Sequence, residues 1–496
     1  MSSSTPETGS TRRSAGNRAS NSDPSNVGFR SERGPILIAL MLSTGLVAID
    51  STILATAVPS IVKDLGGFAQ FPWLFSIYLL AQAVSVPVYA KLSDVIGRKP
   101  ILLFGIALFL LGSVLSGFAW SMGSLIAFRA LQGLGAGAVQ PMAATIAGDI
   151  YTVAERAKVQ GYLASVWAIS AVVGPTLGGI FSQFLTWRWI FYVNVPLCIL
   201  AVWMLVRTFH EKVEHRKHTI DYAGAVLLTV SLSLLILAVL EGGQGWAWNS
   251  PESVGAFVIG GILLLAFVLV ERRAVEPVLP LWVFSRRLLL TTTLVSLGVG
   301  AILIGLTSYV PTYLEGSLDV VPTIAGLTLA ILTIGWPISS SLSGRFYLRI
   351  GFRNTALIGM VFVILGAIVL AVFALTPMIV VVALGCLVVG LGLGLVATPS
   401  IIVAQSSVEW HERGVVTGTN MFARSIGSAI GVAIFGAVAN SIFVAHGGDE
   451  TDVATIVSAA SAVFTAVLIA AALTAIAAIA MPRHNLHLVQ KVTDSE

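Results

Sequence analysis

The sequence predicts an all-α integral membrane protein built from two related halves, and three observations carry that prediction. The 496 residues are 56% hydrophobic and only 10% charged, with a mean hydropathy of +0.91, whereas a soluble domain devotes about a quarter of its residues to charge. Apolar stretches of about twenty residues, enough to cross a bilayer as helices, recur fourteen times. A shift of 257 positions then lays Gly133-Leu-Gly-Ala-Gly137 on Gly390-Leu-Gly-Leu-Gly394, Glu155-Arg156 on Glu412-Arg413, Gly161 on Gly418 and Gly174 on Gly431. One ungapped offset over about forty residues marks an internal duplication. Duplicated halves in a membrane protein suggest a transport site between them.

The elements follow in order. Residues 1–34 hold nine serines and five arginines with almost nothing apolar, so they are expected to form a disordered cytoplasmic tail rather than a signal peptide, which needs an apolar middle. Six spans are predicted at 35–59, 73–93, 101–119, 124–148, 158–182 and 189–209, making a first bundle over 35–210. The fifth is rich in glycine, which permits close helix approach, and Pro175 predicts a kink near Gly174. The charged run Arg207–His218 then leads into spans at 220–241 and 253–271, which have no counterpart in the duplication, so 211–286 is expected to be an insertion. Histidines in that run alternate with lysines and arginines that would repel a cation, which favours a solvated linker over a metal site. Spans at 287–314, 324–347, 355–375, 378–403, 417–441 and 454–480 complete a second bundle over 287–482, and 483–496 form a second cytoplasmic tail.

Basic residues set the expected orientation. With the amino terminus in the cytoplasm, 24 of the 28 Lys and Arg fall on the inside, only Lys63 and Arg188 fall outside, and Arg129 and Arg424 lie within spans. This bias is what the positive-inside rule gives for an even number of helices with both ends inside. The net charge of +4 is thereby accounted for without a nucleic-acid partner. The two cysteines, Cys198 and Cys386, sit in different spans at no disulfide or metal spacing and read as small apolar fillers.

Several motifs at matching spacing carry a resemblance. The loop Ala90-Lys-Leu-Ser-Asp-Val-Ile-Gly-Arg-Lys99 resembles the cytoplasmic signature of the major facilitator superfamily, and Leu125 to Arg129 with Gln132, Gly133 and Gly135 resembles its fourth-span signature. Gly161, Gly174-Pro175 and Gly178-Gly179 resemble the fifth-span motif that marks its antiporters. The run Ile49-Asp-Ser-Thr52, Ala57-Val-Pro59 and Trp187-Arg-Trp-Ile-Phe-Tyr-Val-Asn-Val-Pro196 are similar to the fourteen-span drug/proton antiporter family, and the similarity covers about 35–480. Ala90, Val95 and Ser170 depart from the family pattern. The resemblance implies a major facilitator fold of two six-helix bundles plus two inserted helices, in a bacterial cytoplasmic (plasma) membrane, working as a monomer on a proton gradient with no bound cofactor.

Candidate residues are the ionisable groups inside the spans, because a charge at mid-bilayer costs several kcal/mol unless paired or hydrated. Asp50 and Arg129 are expected at similar depth, about 14 Å and about 9 Å below the outer ends of their helices, where they could form a pair that opens when the acid takes a proton. The alternative is that Asp50 bonds locally with Ser51 and Thr52 while Arg129 only pins helices. The position 257 after Arg129 is Cys386, so one half kept a cation the other lacks. Arg424 either faces the cavity or snorkels to the inner headgroups. Asp94, Gly97, Arg98, Asp149, Glu155 and Arg156 fall at the cytoplasmic ends of spans 2 to 5, where they form either a gate network or solvated loop charges. Gln132, Trp167 and Trp336 are further cavity candidates, the tryptophans by stacking on a flat or cationic ligand or, equally, as core packing.

Three function classes follow. One is a proton-coupled exporter of lipophilic small molecules; a second is a dedicated exporter of one lipid or secondary metabolite. The third, an enzyme or channel, lacks a Walker loop, a His-Glu-x-x-His pair and a carbonyl filter. Asp50 is the only carboxylate deep in a predicted span, so neutral or monovalent cargo is expected over dications.

Overall fold

The computed structural model describes residues 27–66, 73–211, 221–242, 246–274, 277, 281–445 and 452–483. The amino-terminal tail as far as residue 26, most of the histidine-bearing linker and the tail after Arg483 lie outside the described residues. The helices are α1 (Gly34–Leu65), α2 (Trp73–Ile96), α3 (Arg98–Gly117), α4 (Met122–Ile150), α5 (Val153–Phe184), α6 (Trp189–Tyr192), α7 (Asn194–Thr208) and α8 (Tyr222–Glu241). After these come α9 (Pro251–Glu271), α10 (Trp282–Ser285), α11 (Arg287–Leu318), α12 (Pro322–Ile350), α13 (Phe352–Phe373), α14 (Ile379–Ser406), α15 (Arg413–Ala445) and α16 (Val453–Ala480). Helices are the expected solution in lipid, where each backbone N–H and C=O must find its partner within the chain.

Thirteen helical segments among the described residues are long and apolar enough to cross a membrane. The predicted seventh span, within α8, is apolar over the shorter stretch Ala223–Val239. Two further differences from the sequence reading have a local cause. The sixth span breaks at Val193 into α6 and α7, which segregates Asn194 at the start of a helix. Helices α1 and α5 outrun their apolar stretches, and α5 starts where Glu155 accepts from the Thr152 N–H at 2.9 Å and from its hydroxyl at 3.0 Å. α5 is continuous past Gly174, and the side chain of Pro175 lies outside the described residues.

The duplication is visible as repeated contacts. A methyl group added to Gly133 would overlap the Tyr78 carbonyl on α2, and one on Gly390 would overlap the Leu332 carbonyl on α12. Gly135 and Gly392 meet the backbones of α3 and α13 in the same way. Gly174 abuts Thr52 on α1, and Gly431 abuts Ala301 and Ile304 on α11. Across the two bundles, Gly161 of α5 meets Ser341 of α12 while Gly418 of α15 meets Ala90 of α2. Without side chains at these points, backbones approach to contact distance. Helices α5 with α12 and α15 with α2 thus form the seam between bundles.

Each bundle has its own core. One joins Leu37, Leu40, Phe109, Val139, Met142 and Cys198 from α1, α3, α4 and α7; the other joins Val299, Ile302, Met360, Cys386, Val389 and Phe464 from α11, α13, α14 and α16. The inserted pair α8–α9 packs beside the seam, where Leu228, Leu232 and Phe267 meet Val84 and Val86 of α2 and Phe422 of α15.

Candidate functional site

Asp50 stands at the middle of α1, and its carboxylate is enclosed by the first bundle, 1% exposed. Arg129 of α4, also 1% exposed, places Nη1 2.5 Å from Asp50 Oδ2. Gln132, one turn on, donates Nε2 to Asp50 Oδ1 at 2.7 Å and to Ser113 Oγ at 2.7 Å, and accepts from Arg129 at 2.7 Å. Asn194 adds Nδ2 contacts of 3.2 Å to both Asp50 Oδ1 and Ser113 Oγ. Arg129 also donates Nε to the Leu74 carbonyl at 3.2 Å, and its guanidinium lies 4.1 Å from the Tyr78 ring centroid. The i, i+3 spacing of Arg129 and Gln132 puts both on one face of α4, and Gly112 on α3 opposite Gln132 leaves room for it.

Local bonding does not account for Asp50. Ser51 donates to the Val47 carbonyl, and Thr52 to the carbonyls of Ala48, Ile49 and, across to α5, Ser170. Gln132, a cavity candidate from the sequence, is fully buried with its amide committed to this network, so it is an internal member rather than a free wall. Sequence reasoning assigned no role to Asn194, Ser113 or Tyr78. A single amide inside the apolar run Ile190-Phe-Tyr-Val-Asn-Val195 was the available signal for Asn194.

A second constellation sits at the end of the helices that carries Arg33, Arg98, Arg156 and Arg413, the basic end. The chain turns from α2 to α3 at Gly97, whose φ of 108° is open to glycine and strained for other residues. That turn sets Asp94 against the first turn of α15 in the other bundle, where its oxygens accept from the N–H groups of Gly414 at 3.0 Å and Val415 at 2.8 Å. A carboxylate at a helix amino terminus meets both unpaired N–H groups and the positive end of the dipole. Arg98 ties the cluster: Nη2 is 2.8 Å from Asp94, Nε is 3.2 Å from Asp149, Nη2 donates to the Trp410 carbonyl at 2.7 Å, and the guanidinium stacks 3.7 Å from the Trp410 ring centroid. Asp149 also holds Arg413 at 3.2 Å. Gln405 of α14 crosses the seam as well, donating to the Ala144 carbonyl of α4 at 3.3 Å.

Glu155 and Arg156 are engaged differently. Glu155 serves the α5 cap and pairs with Arg33 at 3.1 Å, and Arg156 donates to the Tyr151 carbonyl at 2.9 Å. Of the fifth-span motif, Gly161 and Gly174 make close approaches, Gly178 is buried, and Gly179 has open space beside it. Trp167 packs on the first core and Trp336 on the second, both partly exposed. Arg424, partly exposed in α15, makes no ion pair or side-chain hydrogen bond among the described residues.

Three kinds of comparison bear on this architecture. The chain is 36% identical over 408 residues to multidrug resistance protein 3 of Bacillus subtilis (strain 168), covering 82% of this chain and 80% of that protein. It is 34% identical to the multidrug transporter protein MdtP of the same organism, covering 84% and 77%. Among solved structures, the human organic anion transporter MFSD10 superposes with a TM-score of 0.65 at 15% identity over 90% of this chain and 99% of that one. The proton:xylose symporter XylE does so with a TM-score of 0.62 at 13% identity over 92% and 98%. The family model of the Major Facilitator Superfamily matches residues 40–432, and with two duplicated helix bundles meeting along a glycine-lined seam, the chain belongs to that superfamily of multi-pass membrane transporters.

Proposed function

We propose that the protein is a proton-coupled antiporter that exports lipophilic small molecules, neutral or monocationic, by alternating access across a bacterial cytoplasmic membrane, with both termini inside. The observation that carries this reading is the closed polar cage around Asp50. Arg129 keeps the Gln132 and Leu74 oxygens and the Tyr78 face as partners when Asp50 is neutral, so a proton on the carboxylate exchanges one ion pair for contacts already in place instead of stranding a buried cation. Asp50 is then the proton carrier and Arg129 its partner. Asp94, Arg98 and Asp149 form the inner latch, which holds the basic end shut while cargo leaves on the other side. The two Bacillus relatives carry multidrug names, which supports drug-like cargo and a contribution to antibiotic resistance. A dedicated exporter of one endogenous product shares every one of these features; protection of a susceptible host against a broad dye panel favours the multidrug reading, and protection against a single compound favours the other.

The deciding experiment is Asp50→Asn in everted vesicles. Substrate binding is expected to persist while proton-driven accumulation disappears, and Asp50→Glu is expected to keep part of it. Accumulation at the wild-type rate by Asp50→Asn would place the proton site elsewhere. Orientation is checked by single cysteines: Asn249→Cys should react with an impermeant thiol reagent on intact cells and Ser285→Cys should not.

A further inference from the structure

We infer that Arg424 is a recognition point for an acidic oxygen group on the cargo, so that the favoured substrates are lipophilic compounds bearing a carboxylate, net neutral where they also bear an amine. The inference rests on the export reading above and extends its substrate class to acidic cargo. Arg424 lies eleven residues beyond Arg413, the first residue of α15, which is about 17 Å along the helix axis. An extended arginine reaches only about 7 Å, so snorkelling does not return the charge to the basic end.

Among the described residues no side chain or carbonyl pairs with the guanidinium. One turn toward the basic end, Asn420 accepts from Ser296 at 2.8 Å and donates to the Val416 carbonyl at 3.0 Å. One turn the other way, Ser428 donates to the Gly300 carbonyl at 3.1 Å. The Arg424 backbone itself is pressed against Gly300 of α11, while Gly414 and Gly418 press α15 on Asp94 and Ala90 of the opposite bundle. Arg424 therefore stands on a helix of the second bundle that lines the seam with the first. Exposed Ile430, six residues on, points about 120° away at 3.6 residues per turn. An unpaired guanidinium at this depth costs several kcal/mol. The deep carboxylate Asp50 is already held by Arg129, Gln132 and Asn194. No counter-charge is supplied among the described residues, and a carboxylate on the cargo meets the planar fork of N–H donors with two parallel bonds.

The test uses the full-length protein in lipid nanodiscs with dansyl-phenylalanine and its methyl ester, which differ by the acidic group alone. Wild type is expected to bind the acid at least tenfold more tightly than the ester. Arg424→Gln should abolish the preference while ester binding stays within about twofold, which also reports that the variant is folded, and Arg424→Lys should keep part of it. Equal binding of acid and ester by wild type, binding of neither, or an unchanged preference in Arg424→Gln would each overturn the inference. Protonophore-sensitive export of a monocationic dye is measured in parallel: its absence from wild type with the acid preference intact overturns the export reading and leaves the acid site standing.

Discussion

The two bundles share a scaffold and differ in what fills it. At the positions 257 after Arg129 and Gln132, the second bundle carries Cys386 and Val389, both buried in an apolar core with Val299, Leu393 and Phe464. The glycines around these positions meet equivalent partners in both bundles. Packing therefore requires the glycines and does not require the charges, since the second bundle closes without them. The turns at the basic end repeat the contrast. Gly97 and Gly351 both hold positive φ between paired helices, but the first turn carries Asp94 and Arg98 and the second carries Arg345, Arg349 and Arg353 without an acid. The first bundle holds the buried Asp50–Arg129 pair and the Asp94–Arg98 cluster, and the second meets that cluster with the start of α15.

The largest expected effect breaks the comparison from the apolar side. Cys386→Arg puts a cation into a core with no acid to meet it, a cost of several kcal/mol, and folded protein should fall below detection by size-exclusion profile. A monodisperse Cys386→Arg protein with wild-type melting would show the two cores to be interchangeable. Next is Arg129→Met, which strands Asp50 and should cost about 3–5 kcal/mol. Adding Asp50→Asn should restore most of the loss in Tm without restoring proton-driven transport. A double variant no more stable than Arg129→Met would mean that the pair is not the unit described above.

The latch sharpens the comparison at a smaller scale. Asp94→Ala removes a helix cap worth about 1–2 kcal/mol, so a reporter cysteine at Ala144, behind the seam, should label about tenfold faster from the basic side. Arg349→Ala, in the corresponding turn of the second bundle, should leave that rate unchanged. The smallest effect concerns Asp64, whose carboxyl is held below the usual carboxylate range by Arg188 at 2.8 Å and by the Trp187 indole at 3.0 Å. A depressed folded-state value means that this contribution is complete above the ordinary carboxylate pKa and is lost as pH falls through the lowered one. The pair is half in water, so Asp64→Asn should cost within about 1 kcal/mol at neutral pH, and the difference from wild type should shrink as pH falls below the ordinary carboxylate range. A neutral-pH loss of several kcal/mol would make it part of a buried network.

Much of this was legible in the residues. Hydropathy placed the helices, because a bilayer demands a fixed apolar length of any chain that crosses it. Asp50 and Arg129 stood out because deep charges are costly, and their matched depth anticipated the pair that lies 2.5 Å apart. The break at Val193 was missed because apolar periodicity does not register a half-turn adjustment, and with it went Asn194 as a ligand of Asp50. Trp410 was missed because nothing local marks a loop indole that covers Arg98 from 312 positions away.

The sequence by itself determined that the chain spans a membrane, that it is duplicated, and which ionisable groups lie deep, since each depends on local composition or on comparing the chain with itself. Only the tertiary structure decided which of those charges are satisfied. Asp50 is enclosed by donors from α4 and α7, Asp94 finds its partners at the start of α15, and Arg424 finds none among the described residues. Pairing of charges is a matter of a few ångströms between segments tens to hundreds of residues apart, and that separation is set by how helices pack, which no local stretch of sequence encodes.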